Sequence, residues 1–151
     1  MAKFIFKMQN ILEVKEKLEE QAKSAYALAL AKVEEEQQKL LELQEKKYQY
    51  EKKLKSLMDS ALPVMEIKRL EDAVEIMKYK IGVQQVAVQD AQIKAERARV
   101  LLQNAMVERK TYDKLKEKAF EEFKIELNAQ EKKEVDELVS YRFGVTAGEE
   151  T

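Results

Sequence analysis

The sequence predicts an all-α protein, a long two-helix antiparallel coiled-coil hairpin whose second helix is longer and overhangs the first at its C-terminal end. Three observations predict it. The 151 residues are 38% charged and 45% hydrophobic, with three Gly, one Pro and no Cys, His or Trp. Such a composition, rich in Ala, Glu, Lys, Leu and Gln, propagates helix cheaply and nearly lacks the residues that break it. The one proline, Pro63, stands between two long helix patterns. On both sides of it apolar residues recur at alternating steps of three and four, the narrow seam of a coiled coil.

The first element is a helix over about residues 5–61. Counting from Ala22, the steps fall on Ala22, Tyr26, Ala29, Val33, Glu36, Leu40, Leu43, Lys47, Tyr50, Leu54, Leu57 and Ala61, ten of twelve apolar. Toward the N-terminus Ile11, Leu18 and Ala22 carry the stripe, and the two steps of four from Leu18 to Tyr26 predict a stutter that relaxes the supercoil. The opening residues, Met1 to Lys7, contain no apolar run of signal-peptide length.

A turn is expected at about residues 59–64, because Pro63 cannot continue a helix, suits the first turn of a new one, and pushes Leu62 out of the helical region. The alternative is a kink in one continuous rod. The second helix is expected over about residues 64–142. Its series, Ile67, Leu70, Val74, Met77, Ile81, Gln84, Val88, Ala91, Ala95, Ala98, Leu102 and Ala105, is apolar at eleven of twelve positions. Gly82 falls inside it as a tolerated helix glycine.

If the chain folds back at Pro63, the numbers of facing residues add to roughly 126, since both helices rise equally per residue. That rule sets the alanine zone Ala22, Ala25, Ala29 and Ala31 opposite Ala91, Ala95, Ala98 and Ala105, so the register rests on matched volumes. It also exhausts the first helix near residue 121 and leaves about 20 residues of the second, some 30 Å, without a partner in the chain. This overhang runs from Glu122 to Arg142, and its Phe123, Leu127, Val135 and Leu138, with Phe143 beyond, would be exposed. Exposed apolar residues at helical spacing suggest a partner surface; a frayed end is the alternative. Residues 1–143 therefore read as a single hairpin and residues 144–151 as a disordered tail.

Charge narrows the function classes. The 28 basic and 29 acidic residues leave a formal net charge of −1, and Lys and Glu are interspersed, so there is no basic face for nucleic acid. Arg97 and Arg99 near Lys94 enclose Glu96 and read as surface. No stretch approaches the roughly 18 apolar residues of a membrane helix, so no direct membrane insertion is expected. Without His or Cys the commonest acid–base, nucleophilic and zinc arrangements cannot be built. No Gly-rich loop could cradle a phosphate, and a two-helix rod has no pocket that excludes water. The chain is expected to be a protein-binding rod and not an enzyme, with no cofactor and no metal.

Both ends are more specific. Phe4-Ile5-Phe6-Lys7-Met8-Gln9-Asn10-Ile11-Leu12 resembles the aromatic opening and amphipathic start of the flagellar export protein FliJ family. Tyr112-Asp113-Lys114-Leu115-Lys116-Glu117-Lys118, then Glu131-Lys132-Lys133-Glu134-Val135-Asp136-Glu137 with Arg142-Phe143 after it, resembles the family's C-terminal segment. There the family typically shows Glu-Gln-Lys-Glu-Leu-Asp-Glu; Lys132 replaces the Gln and Val135 the Leu. The resemblance covers essentially the whole chain, and its two end segments carry it.

The resemblance implies a coiled-coil stalk of the bacterial flagellar type III export apparatus, similar to the central stalk of rotary ATP synthases. It implies a contact with the hexameric ring of the export ATPase, carried over onto Glu131, Lys133, Glu134, Asp136 and Glu137. It also implies a contact with the cytoplasmic part of the membrane export gate through apolar residues just past the turn, here Leu70 and Val74, which also lie on the seam. Substrate chaperones are further implied partners. The implied location is cytoplasmic, peripheral at the cytoplasmic face of the inner membrane at the flagellar base. A stalk of another rotary ATPase or of a virulence secretion system shares the hairpin, and a self-associating structural coiled coil shares the seam.

Overall fold

The computed structural model describes residues 2–59 and 64–149, with side chains as far as residue 144. The chain is all-α: helix α1 (Gln9–Met58) and helix α2 (Val64–Glu149) form an antiparallel coiled-coil hairpin with the second helix the longer. Residues 2–6 lie outside any helix, and Lys7 and Met8 turn into α1. Residues 60–63, and with them the expected turn at Pro63, lie outside the described residues. Lys55 in the last turn of α1 and Glu66 in the first turn of α2 each oppose the local end of the helix dipole. The α2 helix continues to Glu149, so residues 144–149, expected in a disordered tail, are helical; residues 150–151 lie outside the described residues.

The chain divides into two units, residues 20–104 and residues 1–19 with 105–151. In the first unit, the eleven described residues of the Ala22-to-Leu57 series are all buried or half-buried, and no other residue of α1 there is. On α2 every member from Ile67 to Leu102 is likewise buried or half-buried, joined only by Ala73 and Ala87. Val74, Met77, Val88, Ala91 and Ala95 are the best covered, at 5–8% exposure. Ala25 and Ala31, expected in the alanine zone, are exposed. The core is one side chain deep, because two helices alone can hide only the seam that each turns to the other.

Two of the three polar members of the seam meet each other. Gln84 Nε2 donates to Glu36 Oε2 at 2.5 Å and to the Glu36 carbonyl at 2.9 Å. Lys32 (3.0 Å) and Lys39 (3.5 Å) close on the same carboxylate from the water side. The Lys32 and Gln84 hydrogen bonds hold the Glu36 carboxyl well below its ordinary 4.5, at about 2. A carboxylate that is only 8% exposed is tolerated there because every oxygen has a donor.

The second unit is held differently. Leu12, at 2% exposure, is its best-buried residue, yet the neighbouring inward positions are Lys15 and Glu19. Lys15 pairs with Glu108 at 2.8 Å, and Arg109 bridges Glu19 (2.5 Å) and Asp113 (2.7 Å). The hydrogen bonds that Arg109 donates to Glu19 and Asp113 raise its guanidinium above its ordinary value. The spacing Leu12, Lys15, Glu19 and then Ala22 keeps alternate steps of three and four, so the expected stutter is absent. Ile11 and Leu18, expected in the stripe, are each 43% exposed. The apolar count mistook their phase because the true inward positions are charged, and those charges are stable inside only because each is paired. Within each unit the facing pairs Glu36–Gln84, Lys15–Glu108 and Glu19–Arg109 add to within about six of the expected register.

Candidate protein-binding surfaces

Three surfaces follow from what the two helices leave uncovered. The first involves the N-terminal segment ahead of α1. Its Phe4 ring lies edge-on to Phe120 (centroids 5.2 Å apart) and tilted against Phe123 (5.5 Å), while Phe6 is 8% exposed. Lys124 Nζ sits 4.7 Å from the Phe120 ring centroid, a cation–π contact. Helix α1 starts just beyond, where the Gln9 amide donates to the Phe6 carbonyl (3.1 Å) and the Leu12 amide to the Met8 carbonyl (3.0 Å).

This clasp corrects the expected overhang. The expected register began its cover at about residue 5, whereas the segment ahead of α1 also lies against α2, with Phe4 on Phe120 and Phe123. Phe123 and Leu127, expected to be exposed, are half-buried, and the uncovered part of α2 begins at Asn128 rather than Glu122.

From residue 128 to residue 144 every residue is exposed. Val135 (57%), Leu138 (62%) and Phe143 (78%) are as bare as the sequence predicts, and Val139 and Tyr141 join them. Glu131, Lys133, Glu134, Asp136 and Glu137 all lie on this stretch, and the helical repeat sorts them. Glu131 and Glu134 share a line with Leu127 and Leu138, at offsets of four, seven and eleven residues, while Lys133 and Asp136 fall on the other side. The bare end of α2 therefore has an acidic–apolar face and a mixed-charge face.

The third surface lies in the residue 20–104 unit. The gate residues carried over by resemblance, Leu70 and Val74, sit in the seam; Leu70 is half-buried and Val74 is 7% exposed. Val74 is spent on holding α2 to α1. Two residues further along, the same steps of three and four give another apolar series on the outer face: Ile76 (53% exposed), Tyr79 (75%), Val83 (54%) and Val86 (56%), continuing to Ile93 and Val100. The signal was present in the sequence as a second count with the same rhythm. It is missed when one apolar series per helix is taken as enough. The matching outer positions of α1 become polar, with Glu35, Gln38, Glu42 and Glu45.

Around these surfaces the charges are locally settled. Arg99 is held by Glu96 at 2.6 Å, as expected for a solvated surface cluster. Among the described residues no helix is long and apolar enough to cross a membrane.

Comparison with known proteins agrees with this architecture. The family model described as flagellar FliJ protein matches residues 4–148. The flagellar FliJ protein of Bacillus subtilis (strain 168) is 28% identical over 138 residues, covering 91% of this chain and 94% of that one. Among solved structures, a chain described as a YscO homologue from Chlamydia trachomatis superposes with a TM-score of 0.60 at 20% identity, covering 95% of this chain and 97% of that one; this likeness is one of fold. A match that spans nearly the whole chain, both ends included, places this protein in the flagellar FliJ family, whose members are helical components of flagellar protein export.

Proposed function

We propose that the protein is a non-enzymatic stalk of the flagellar type III export apparatus that binds the hexameric export ATPase through the bare end of α2 and promotes its assembly or turnover. The observation that carries this reading is the run of exposed residues from Asn128 onward, which holds the family-like segment Glu131 to Glu137. A helix that carries Val135 and Leu138 into water without packing them is expected to bury them against a partner. Its acidic residues would steer the encounter and make it weaken with salt. A single rod in a sixfold ring meets only some subunits at once, and that asymmetry would bias assembly or sequential firing.

The second contact, with the membrane export gate, is proposed on the outer face of α2 just past the start of the helix. Ile76, Tyr79, Val83 and Val86 are exposed there, whereas Leu70 and Val74 would have to leave the seam to take part. Binding both partners would hold the protein peripherally at the cytoplasmic face of the inner membrane at the flagellar base. Substrate chaperones are a further partner class under the same reading.

Co-elution with the cognate export ATPase, with the hydrolysis rate recorded, tests the first contact. The full chain should bind and raise the rate, and a chain ending at Leu127 should do neither while the remaining helices keep their fold. Binding by both chains would remove the end of α2 from the contact. Binding by neither would remove the ATPase as partner. For the second contact, Tyr79→Glu should release the gate's cytoplasmic part and leave ATPase binding unchanged.

A further inference from the structure

The two long edges of the residue 20–104 unit, where one helix gives way to the other, differ in charge. Lys32 and Lys39 close on the seam carboxylate of Glu36 and so mark one edge. Lys46 and Lys53 continue that row at the same seven-residue step. A lysine row beside a coiled-coil seam ordinarily faces acidic residues on the other helix. Here the matching positions of α2 are Ala73, Lys80, Ala87 and Lys94, so the row meets small residues and more lysine.

The imbalance is sharpest toward the turn. Counting from the Glu36–Gln84 contact, residues 36–53 of α1 lie beside residues 67–84 of α2. Over that stretch this edge holds Lys39, Lys46, Lys53, Arg69 and Lys80 against one acid, Glu42. The opposite edge holds Lys68 and Lys78 against Glu51, Glu71 and Glu75. Lys46, Lys53, Arg69 and Lys80 are exposed and have no ion pair among the described residues. In a chain with a net charge of −1 this is a local excess, not a general one. Ile76 and Val83, both more than half exposed, border the same edge, and half-buried Ala73 and Ala87 form its floor.

We propose that this edge receives an acidic amphipathic helix of a partner protein. Its apolar residues would meet Ile76 and Val83 over the two alanines, and its carboxylates would meet Lys46, Lys53 and Lys80. The bases left without acids inside the chain are the complement such a helix supplies. A helix also keeps step with the site. Lysines seven residues apart stand about 10 Å apart, which is two turns of a neighbouring helix. An extended peptide repeats on one face about every 7 Å and falls out of register. The proposal rests on the reading above that the outer side of α2 is a contact surface, and it adds the chemistry of what docks there.

Fluorescence anisotropy on the full chain tests it with two labelled helical peptides of about 20 residues. Both carry the same leucine heptads, one flanked by Glu and the other by Lys. The chain should bind the Glu peptide at least about tenfold more tightly, and the gap should narrow between about 50 mM and about 300 mM salt. Lys46→Glu with Lys53→Glu should invert the preference. Lys68→Glu with Lys78→Glu, on the opposite edge, should leave it unchanged. All four side chains are exposed, so circular dichroism should not change. Equal affinity for the two peptides, binding of neither, or the same response to both double exchanges overturns the proposal. So does a preference for phosphatidylserine vesicles over the Glu peptide, which would make the edge a lipid contact. The gate reading fails separately. If the gate's cytoplasmic part does not bind, edge-dependent peptide binding still upholds the proposal. If it binds through Tyr79 but ignores the Lys46 and Lys53 exchange, the gate contact stands and the acidic helix does not.

Discussion

The two units use the same heptad rhythm for different ends. Residues 20–104 are joined by an apolar seam interrupted by Glu36 and Gln84, which satisfy each other, and by half-buried Lys47. Residues 1–19 and 105–144 turn more polar residues inward, among them Lys15, Glu19, Arg109, Asp113 and Lys116. They are joined by Leu12, the Lys15–Glu108 and Glu19–Arg109–Asp113 ion pairs and an aromatic clasp, and α2 then runs on bare. An apolar seam gives cohesion but tolerates slippage. Paired charges add little net stability but punish a shifted register. The difference teaches that one heptad rhythm can be filled by apolar residues in one stretch and by paired charges in another, and that only the fully paired charges are tolerated inside.

The largest effect expected from breaking this division is functional. Removing everything after Leu127 should abolish ATPase binding with almost no change in melting temperature, because the removed side chains described as far as residue 144 are all exposed. If melting falls steeply instead, the end of α2 is structural.

Next in size is the anchor of the clasped unit. Leu12→Ala should cost about 2–3 kcal/mol by chemical denaturation, while Leu41→Ala, at a site 58% exposed, should cost less than about 0.5 kcal/mol. Equal losses would mean that the N-terminal part of α1 contributes no core.

The buried carboxylate gives a pH signature. Glu36 is held at about 2 against an ordinary 4.5. A depressed carboxyl stabilises the fold above its unfolded value and loses that contribution as pH falls toward the folded one. Thermal stability should therefore drop between pH 4.5 and about 2, and Glu36→Gln should flatten that part of the curve. An unchanged slope in the variant would show that other carboxylates set it.

The smallest change should be a gain. A Cβ at Gly82 would meet nothing within 4 Å, and its backbone is ordinary helix. Gly82→Ala should add about 1 kcal/mol. A loss would mean that a partner approaches the backbone there.

How far the sequence could be read follows the same division. The seam of residues 22–57 and 67–102 was legible because two independent counts shared one spacing, and the structure buries those residues. The stretch before Ala22 was not, because Lys15 and Glu19 look like surface until Glu108 and Arg109 are seen beside them, so exposed Ile11 and Leu18 took their place. The start of the bare end was placed six residues early, since nothing local says that the residues ahead of α1 pack on α2 through Phe4. Leu70 and Val74 were drawn to the seam by their own apolarity, while the outer series from Ile76 has the same rhythm and the exposure that binding requires. The segment Glu131 to Glu137 was singled out only by resemblance, because a bare helix gives no internal pattern to read.

Hydrogen exchange on the full chain, alone and with the cognate export ATPase, tests the central claim most directly. The account predicts that amides of residues 128–144 exchange fast in the free chain and slow markedly in the complex, with residues 20–104 unchanged. Protection that appears only in residues 20–104, with the end of α2 still exchanging freely, would contradict it.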